Sequence, residues 1–213
     1  MENENLYEVL RPFGPSVARF TMPPELISTL NKYTDKIIKD KKKSEELDAG
    51  DKLAGQVTQE FDLEKEFIVS SGLLKFLGNS VTNWIKHSTS TDIKKFNIIA
   101  SWVVRQFKNE YNPTHWHSGH ISGVGYLKVP NTLGKSTQKN KIINPNGQLQ
   151  LIHGSRQFLS QSTIDITPKV GDFYFFPNYL MHSVSPFTDS NDERRSISFN
   201  AEIDDNIYDV YKD

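Results

Sequence analysis

The chain has 213 residues, enough for one domain with a sizeable core, and a formal net charge of −1 that gives no overall electrostatic case for nucleic acid or an acidic membrane surface. It contains no cysteine, which excludes disulfides, thiolate zinc sites, iron–sulfur clusters and a cysteine nucleophile, so any metal must be held by His, Asp or Glu. The start, MENENLYEVL, is acidic and lacks a signal pattern, and no apolar run approaches the roughly 20 residues of a membrane span; the expectation is a soluble, cytoplasmic protein with no membrane partner.

Residues 6–22 mix short apolar runs with Pro12, Gly14 and Pro15 and read as one or two strands with a break. From Pro23 the period changes to that of a helix, with Leu26, Leu30, Tyr33 and Ile37 on one face, and the run KDKKKSEELD ends it in solvent. Residues 49–68 carry two glycines and weak periodicity and read as an irregular connection. A second amphipathic helix follows, with Leu73, Leu77, Val81 and Trp84 on one stripe and Ser70 or Ser71 as its N-cap.

After Thr91 the segments 97–107, 121–129, 148–153, 163–166, 172–176, 182–186 and 195–203 are strand-like and separated by turn-rich stretches. Successive short strands after a helical start predict a mainly β antiparallel sandwich or barrel with helices packed on one sheet. The organisation expected is a single domain over 1–213, with a helix-containing N-terminal layer over 1–95, a β core over 96–204 and a fraying tail over 205–213.

Three stretches carry the chemistry. In NPTHWHSGH, His115 and His117 are two apart, so on an extended strand both imidazoles point to one face and make half a metal site for iron, zinc, copper or nickel. Trp116 between them points the other way and reads as packing. In GDFYFFPNYLMHSV, His182 follows an aromatic strand and Pro177, which supplies a third ligand from across a rigid corner. In ERRSISFN, Arg194, Ser196, Ser198 and Asn200 alternate with Arg195, Ile197 and Phe199. If the polar face looks into a cavity, Arg194 offers a bidentate partner for a carboxylate with the Ser196 hydroxyl beside it, whereas Arg195 would face inward only after a one-residue slip.

Taken together, His-x-His before SGVGYLKVP, then GDFYFFPNYLMHSV, then ERRSISFN, resemble the 2-oxoglutarate- and Fe(II)-dependent oxygenases related to the prolyl hydroxylases, over residues 97–203. The resemblance implies a double-stranded β-helix, also called a jelly roll or cupin-like barrel. It implies Fe(II) on His115, His117 and His182, with 2-oxoglutarate and O2 as cosubstrates. The far carboxylate of 2-oxoglutarate would be held by Arg194, Ser196 and the hydroxyl of Tyr126, with Ser122 and Val124 sharing the inward face. The activity implied is hydroxylation of a substrate with release of succinate and CO2.

One departure concerns the ligands: the wider superfamily commonly has His-x-Asp, and the second position here is His117. His120 and Asp172 are the other candidates for that ligand, although Asp172 also reads as a turn former. Two other classes stay open, a cupin-type metal enzyme without 2-oxoglutarate and a non-catalytic barrel acting as an interaction module. The substrate could be a protein side chain, a nucleobase or a small molecule, selected by loops 49–68 and 131–146. A homodimer is also open.

Overall fold

The computed structural model describes residues 14–136, 138 and 140–209, so part of the expected N-terminal strand region lies outside the described residues. Strand β1 (Ala18–Thr21) leads into helix α1 (Pro24–Lys39), which starts at proline as its φ prefers and buries Leu26, Leu30 and Ile37. The lysine-rich run is a separate short helix, α2 (Lys41–Glu46), in which Asp40 caps the Lys43 amide. The stretch expected to be irregular instead contains β2 (Gln59–Asp62) and helix α3 (Lys65–Ser70). Its four-residue strand is too short to show a period, and it is held by pairing with β3 (Phe96–Gln106). Helix α4 (Leu73–Thr89) buries the predicted stripe, but its N-cap is Gly72 at φ 85°, which a serine would enter only under strain, and Ser71 Oγ accepts instead from the Leu73 amide.

The remaining strands are β4 (Asn112–His115), β5 (Ile121–Lys128), β6 (Leu149–Ile152), β7 (Thr163–Ile166), β8 (Asp172–Pro177), β9 (Met181–Val184) and β10 (Arg194–Ile203). They pair antiparallel into a six-stranded sheet of order β1-β8-β5-β10-β3-β2 and a four-stranded sheet of order β4-β9-β6-β7. The two sheets face each other as a jelly roll. The tail expected to fray forms a short helix, α5 (Asp205–Tyr208), and residues 210–213 lie outside the described set.

The period-2 pattern of the central strands gives the large sheet two faces. Ile197, Phe199, Phe173 and Phe175 meet Leu30, Leu73, Leu77 and Val81 from the helices in the main apolar cluster. Each of these fully buried side chains is worth about 1.5–3 kcal/mol of transfer free energy. Gly123 and Gly125 on β5 make room for that layer, since a Cβ at Gly125 would stand 2.3 Å from the Phe173 ring. A second, smaller cluster of Leu149, Leu151, Phe176, Leu180 and Val184 lies with the small sheet. What is left between the sheets is a cavity with both apolar and polar lining.

Candidate metal and cosubstrate site

His115 ends β4 and His182 lies on β9, and the two are direct cross-strand partners at a register irregularity that lets the chain turn away after His115. His117 lies beyond the strand, with its amide donating to the Asn178 carbonyl (3.0 Å), so it reaches the site through a loop contact rather than by strand alternation. All three imidazoles place a ring nitrogen within 4.8 Å of one another. Trp116 is not packing: it is 65% exposed.

The tautomers follow from the second nitrogens. His115 Nδ1 is 2.7 Å from the Pro113 carbonyl and His182 Nδ1 is 2.8 Å from the Leu180 carbonyl, contacts in which only the nitrogen can donate. Each Nε2 therefore keeps its lone pair for the centre. His117 Nε2 and His182 Nε2 stand 3.1 Å apart, which is the ~3 Å expected for two adjacent nitrogen ligands on one ion at ~2.1 Å. Burial, followed by the neighbouring imidazoles, pushes the His117 pKa down to about 3, and burial with His115 pushes His182 down to about 4, so both are neutral at physiological pH as metal ligation requires. The donor set and its spacing fit a divalent first-row metal. Trp102 and Phe176 wall it, with ring centroids 5.6 Å from His117 and 4.9 Å from His182.

The other candidates for a ligand go elsewhere. His120 Nδ1 accepts from the Ile203 amide (3.1 Å) while its ring stacks on Tyr208 at 4.0 Å, which ties the α5 turn to the barrel. Asp172 begins β8 rather than sitting in a turn, is buried, and has Arg19 3.9 Å away. Among the described residues, His115, His117 and His182 are the one group arranged to hold an ion.

Alternation along β10 turns Arg194, Ser196 and Ser198 into the cavity that the histidines line. Arg194 is 2% exposed, and its guanidinium lies 5.1 Å from the centroid of the Tyr126 ring. One nitrogen, Nη1, donates to Gln106 Oε1 (3.0 Å), and Gln106 is itself held by its Nε2 donating to the Glu110 carbonyl (2.5 Å). Arg194 Nε and Nη2 and the Tyr126 hydroxyl are buried with no hydrogen-bond partner among the described residues. Burial pushes Tyr126 up to about 12, so it remains a neutral donor, and a guanidinium stays charged even when burial lowers its pKa. These are donors that an entering carboxylate could satisfy, and leaving each unpaired costs about 1–3 kcal/mol. Ser122, expected to share the inward face, is occupied in donating to Asn200 Oδ1 (2.8 Å), while Val124 lines the cavity.

Arg195 points the other way. It donates to Glu193 (2.6 Å), Asp35 (2.7 Å) and Asn31 (3.0 Å), which ties β10 to helix α1. Sequence reasoning missed several residues of the cavity, among them Trp102, Gln106, Asn112 and, most consequentially, Glu60 on β2, which lines it at 2% exposure. The signal available was the alternation of Gln59, Glu60, Phe61 and Asp62, too short to separate from a loop.

Residues 100–200 match the model of the family described as "Putative 2OG-Fe(II) oxygenase". Among solved structures the fold is similar to a prolyl-4-hydroxylase from Pseudomonas putida, at 15% identity over 86% of this chain and 91% of that one, with a TM-score of 0.56. It is also similar to the viral collagen prolyl hydroxylase of Paramecium bursaria Chlorella virus-1, in complex with 2-oxoglutarate, at 15% identity over 87% and 94% with a TM-score of 0.54. A third is a prolyl hydroxylase from Trichoplax adhaerens bound to a hypoxia inducible factor peptide, at 12% identity over 92% and 87% with a TM-score of 0.56. At these identities the likeness is one of fold. No curated protein matches the chain in sequence.

Proposed function

We propose, from the premise that residues 100–200 belong to the 2-oxoglutarate- and Fe(II)-dependent oxygenases, that this enzyme hydroxylates its substrate at a site built from His115, His117, His182, Arg194, Ser196 and Tyr126. Fe(II), 2-oxoglutarate and O2 are the cofactor and cosubstrates of that class. His115, His117 and His182 would hold the iron. Its bound chemistry couples oxidative decarboxylation of 2-oxoglutarate, giving succinate and CO2, to insertion of one oxygen atom into a substrate C–H bond.

The chain's own residues supply position and seclusion. Arg194 gives two free N–H groups to the far carboxylate of 2-oxoglutarate, and Gln106 keeps the guanidinium from rotating away. Tyr126 supports that plane with its ring and offers its hydroxyl, while Ser196, beside it in register, offers a second. Val124, Trp102 and Phe176 exclude water from the space between carboxylate clamp and histidines. The single observation that carries this reading is that a fully buried arginine with two unpartnered nitrogens shares one cavity with three converging histidines. We extend it to the whole of 1–213 as one catalytic unit, because the N-terminal helices cover the outer face of the sheet that carries Arg194. Among the described residues no helix is long and apolar enough to cross a membrane.

The test is anaerobic addition of Fe(II) and 2-oxoglutarate to metal-free protein, followed by O2. A visible charge-transfer band and slow succinate release, both lost in His182→Ala, are expected. Stoichiometric metal binding with neither band nor succinate would place the site with cupin-type metal centres instead.

A further inference from the structure

Glu60 is a carboxylate that the oxygenase chemistry does not use and the fold does not satisfy. Both of its oxygens are buried with no hydrogen-bond partner among the described residues, although it lines the same cavity as the histidines and Arg194. Burying an unpaired carboxylate is among the costlier things a fold can do. A residue kept there despite that cost points to a partner that arrives from outside.

Register fixes where it stands. Glu60 pairs with Val104, Val104 with Ser196, and Ser196 with Tyr126, so the four form one row across the inner face of the large sheet. With strands ~4.8 Å apart, Glu60 is about 10 Å along the row from Ser196, at the opposite end of the cavity from the carboxylate clamp. Asn112 lines the recess at this end of the cavity beside it. A Cβ at Gly55 would stand 2.7 Å from Glu60 Oε1 and 3.0 Å from Asn112 Oδ1, so both side chains pack directly against the Gly55 backbone, which holds the Glu60 carboxylate in place. Gly55 does not have a positive φ, so what glycine provides here is the close approach of Glu60 rather than a backbone conformation.

2-Oxoglutarate cannot be the missing partner. It is a dianion whose oxygens only accept hydrogen bonds, and its far carboxylate is drawn to Arg194 at the other end. The group that meets Glu60 must bring donors, and positive charge if the carboxylate is to stay ionised in so dry a place.

We propose that Glu60 is the specificity-determining residue for the substrate, and that the substrate presents a basic nitrogen, as an ammonium or guanidinium group, to the end of the cavity that Glu60 and Asn112 line. This rests on the oxygenase reading for the word substrate, but the recess can be tested as a cation site without turnover. Burial, with Asp48 adding, raises the Glu60 pKa to about 7, and a cation arriving beside it would draw it back down.

The experiment titrates the intact protein, loaded with Ni(II) and 2-oxoglutarate, with n-butylammonium, n-butylguanidinium and 1-butanol, reading the fluorescence of Trp102 in the cavity wall against a Trp102→Phe control. One of the two cations is expected to bind at least about tenfold more tightly than the alcohol, a difference of about 1.4 kcal/mol. Glu60→Gln should reduce that preference to less than about twofold. Gly55→Ala keeps the charge but puts a methyl 2.7 Å from Glu60 Oε1, so the carboxylate must shift; it should weaken the cation at least about fivefold and carries the test if Glu60→Gln does not fold. Equal binding of cations and alcohol, or a preference that survives either substitution, overturns the proposal. The oxygenase reading is judged separately, by 2-oxoglutarate binding to the unaltered protein on the same samples: loss of that binding with the cation preference intact removes the reading and leaves the recess as a cation site.

Discussion

The guanidinium of Arg194 lies over the ring of Tyr126, and it is the Tyr126 side that holds it flat while Gln106 takes only one of its five N–H donors. A buried arginine is ordinarily closed off by carboxylates, as its neighbour Arg195 is by Glu193 and Asp35. Among the described residues Arg194 has none, and the electrostatic demand it leaves in the cavity is the basis of the first prediction.

Arg194→Ala should weaken 2-oxoglutarate binding at least about thirtyfold, the low end of the 2–5 kcal/mol for truncating one partner of a buried charge pair. Arg194→Lys should recover only part of this, because a point charge cannot make the planar two-donor contact. Calorimetric titration of the Ni(II) protein with 2-oxoglutarate measures both.

Arg195→Ala should behave in the opposite way. It removes a charge that is 1% exposed from the network joining β10 to Asn31 and Asp35 of α1, and should cost about 3–5 kcal/mol of stability. Its effect on 2-oxoglutarate affinity, measured below the unfolding midpoint, should be much smaller than that of Arg194→Ala. Urea unfolding monitored by circular dichroism gives the first quantity.

Metal should stabilise the fold through the three histidines. At a free metal concentration 100 times the dissociation constant, linkage gives about 2.7 kcal/mol, or about 5–10 °C in Tm for a chain of this size. Adding a chelator should reverse the shift, and His182→Ala should abolish it. Differential scanning fluorimetry with Ni(II), with and without chelator, checks this.

Glu60 should make the metal-free protein less stable as the solution becomes more alkaline. Its folded pKa of about 7 lies above the ordinary 4.5, so its contribution is present in full below about 4.5 and is lost as the pH rises through 7. Glu60→Gln removes that loss, and the variant should gain about 1–3 kcal/mol over the natural chain at pH 8, with the gain shrinking toward pH 5. Parallel urea titrations at the two pH values decide it; an equal gain at both would assign Glu60 an ordinary acidity.

What the sequence determined by itself was whatever rests on period and composition. The stripe Leu73, Leu77, Val81 and Trp84 and the alternation of Arg194, Ser196 and Ser198 against Ile197 and Phe199 encode which face is apolar, and a face must be buried wherever the element goes. The absence of cysteine left His, Asp and Glu as the only ligands, and the three histidines at 115, 117 and 182 do converge. What only tertiary structure decided depends on partners remote in sequence. The β4–β9 irregularity and the Asn178 contact carry His117 into the cluster, although strand alternation ends at His115. The α5 turn takes His120 out of contention by stacking Tyr208 on it. Glu60 was illegible because a four-residue edge strand has no period to read, and only pairing to β3 reveals that it faces inward. Periodicity tells a side chain's face, whereas a cavity is made by what the opposing sheet leaves unfilled, and that is a property of the packed chain alone.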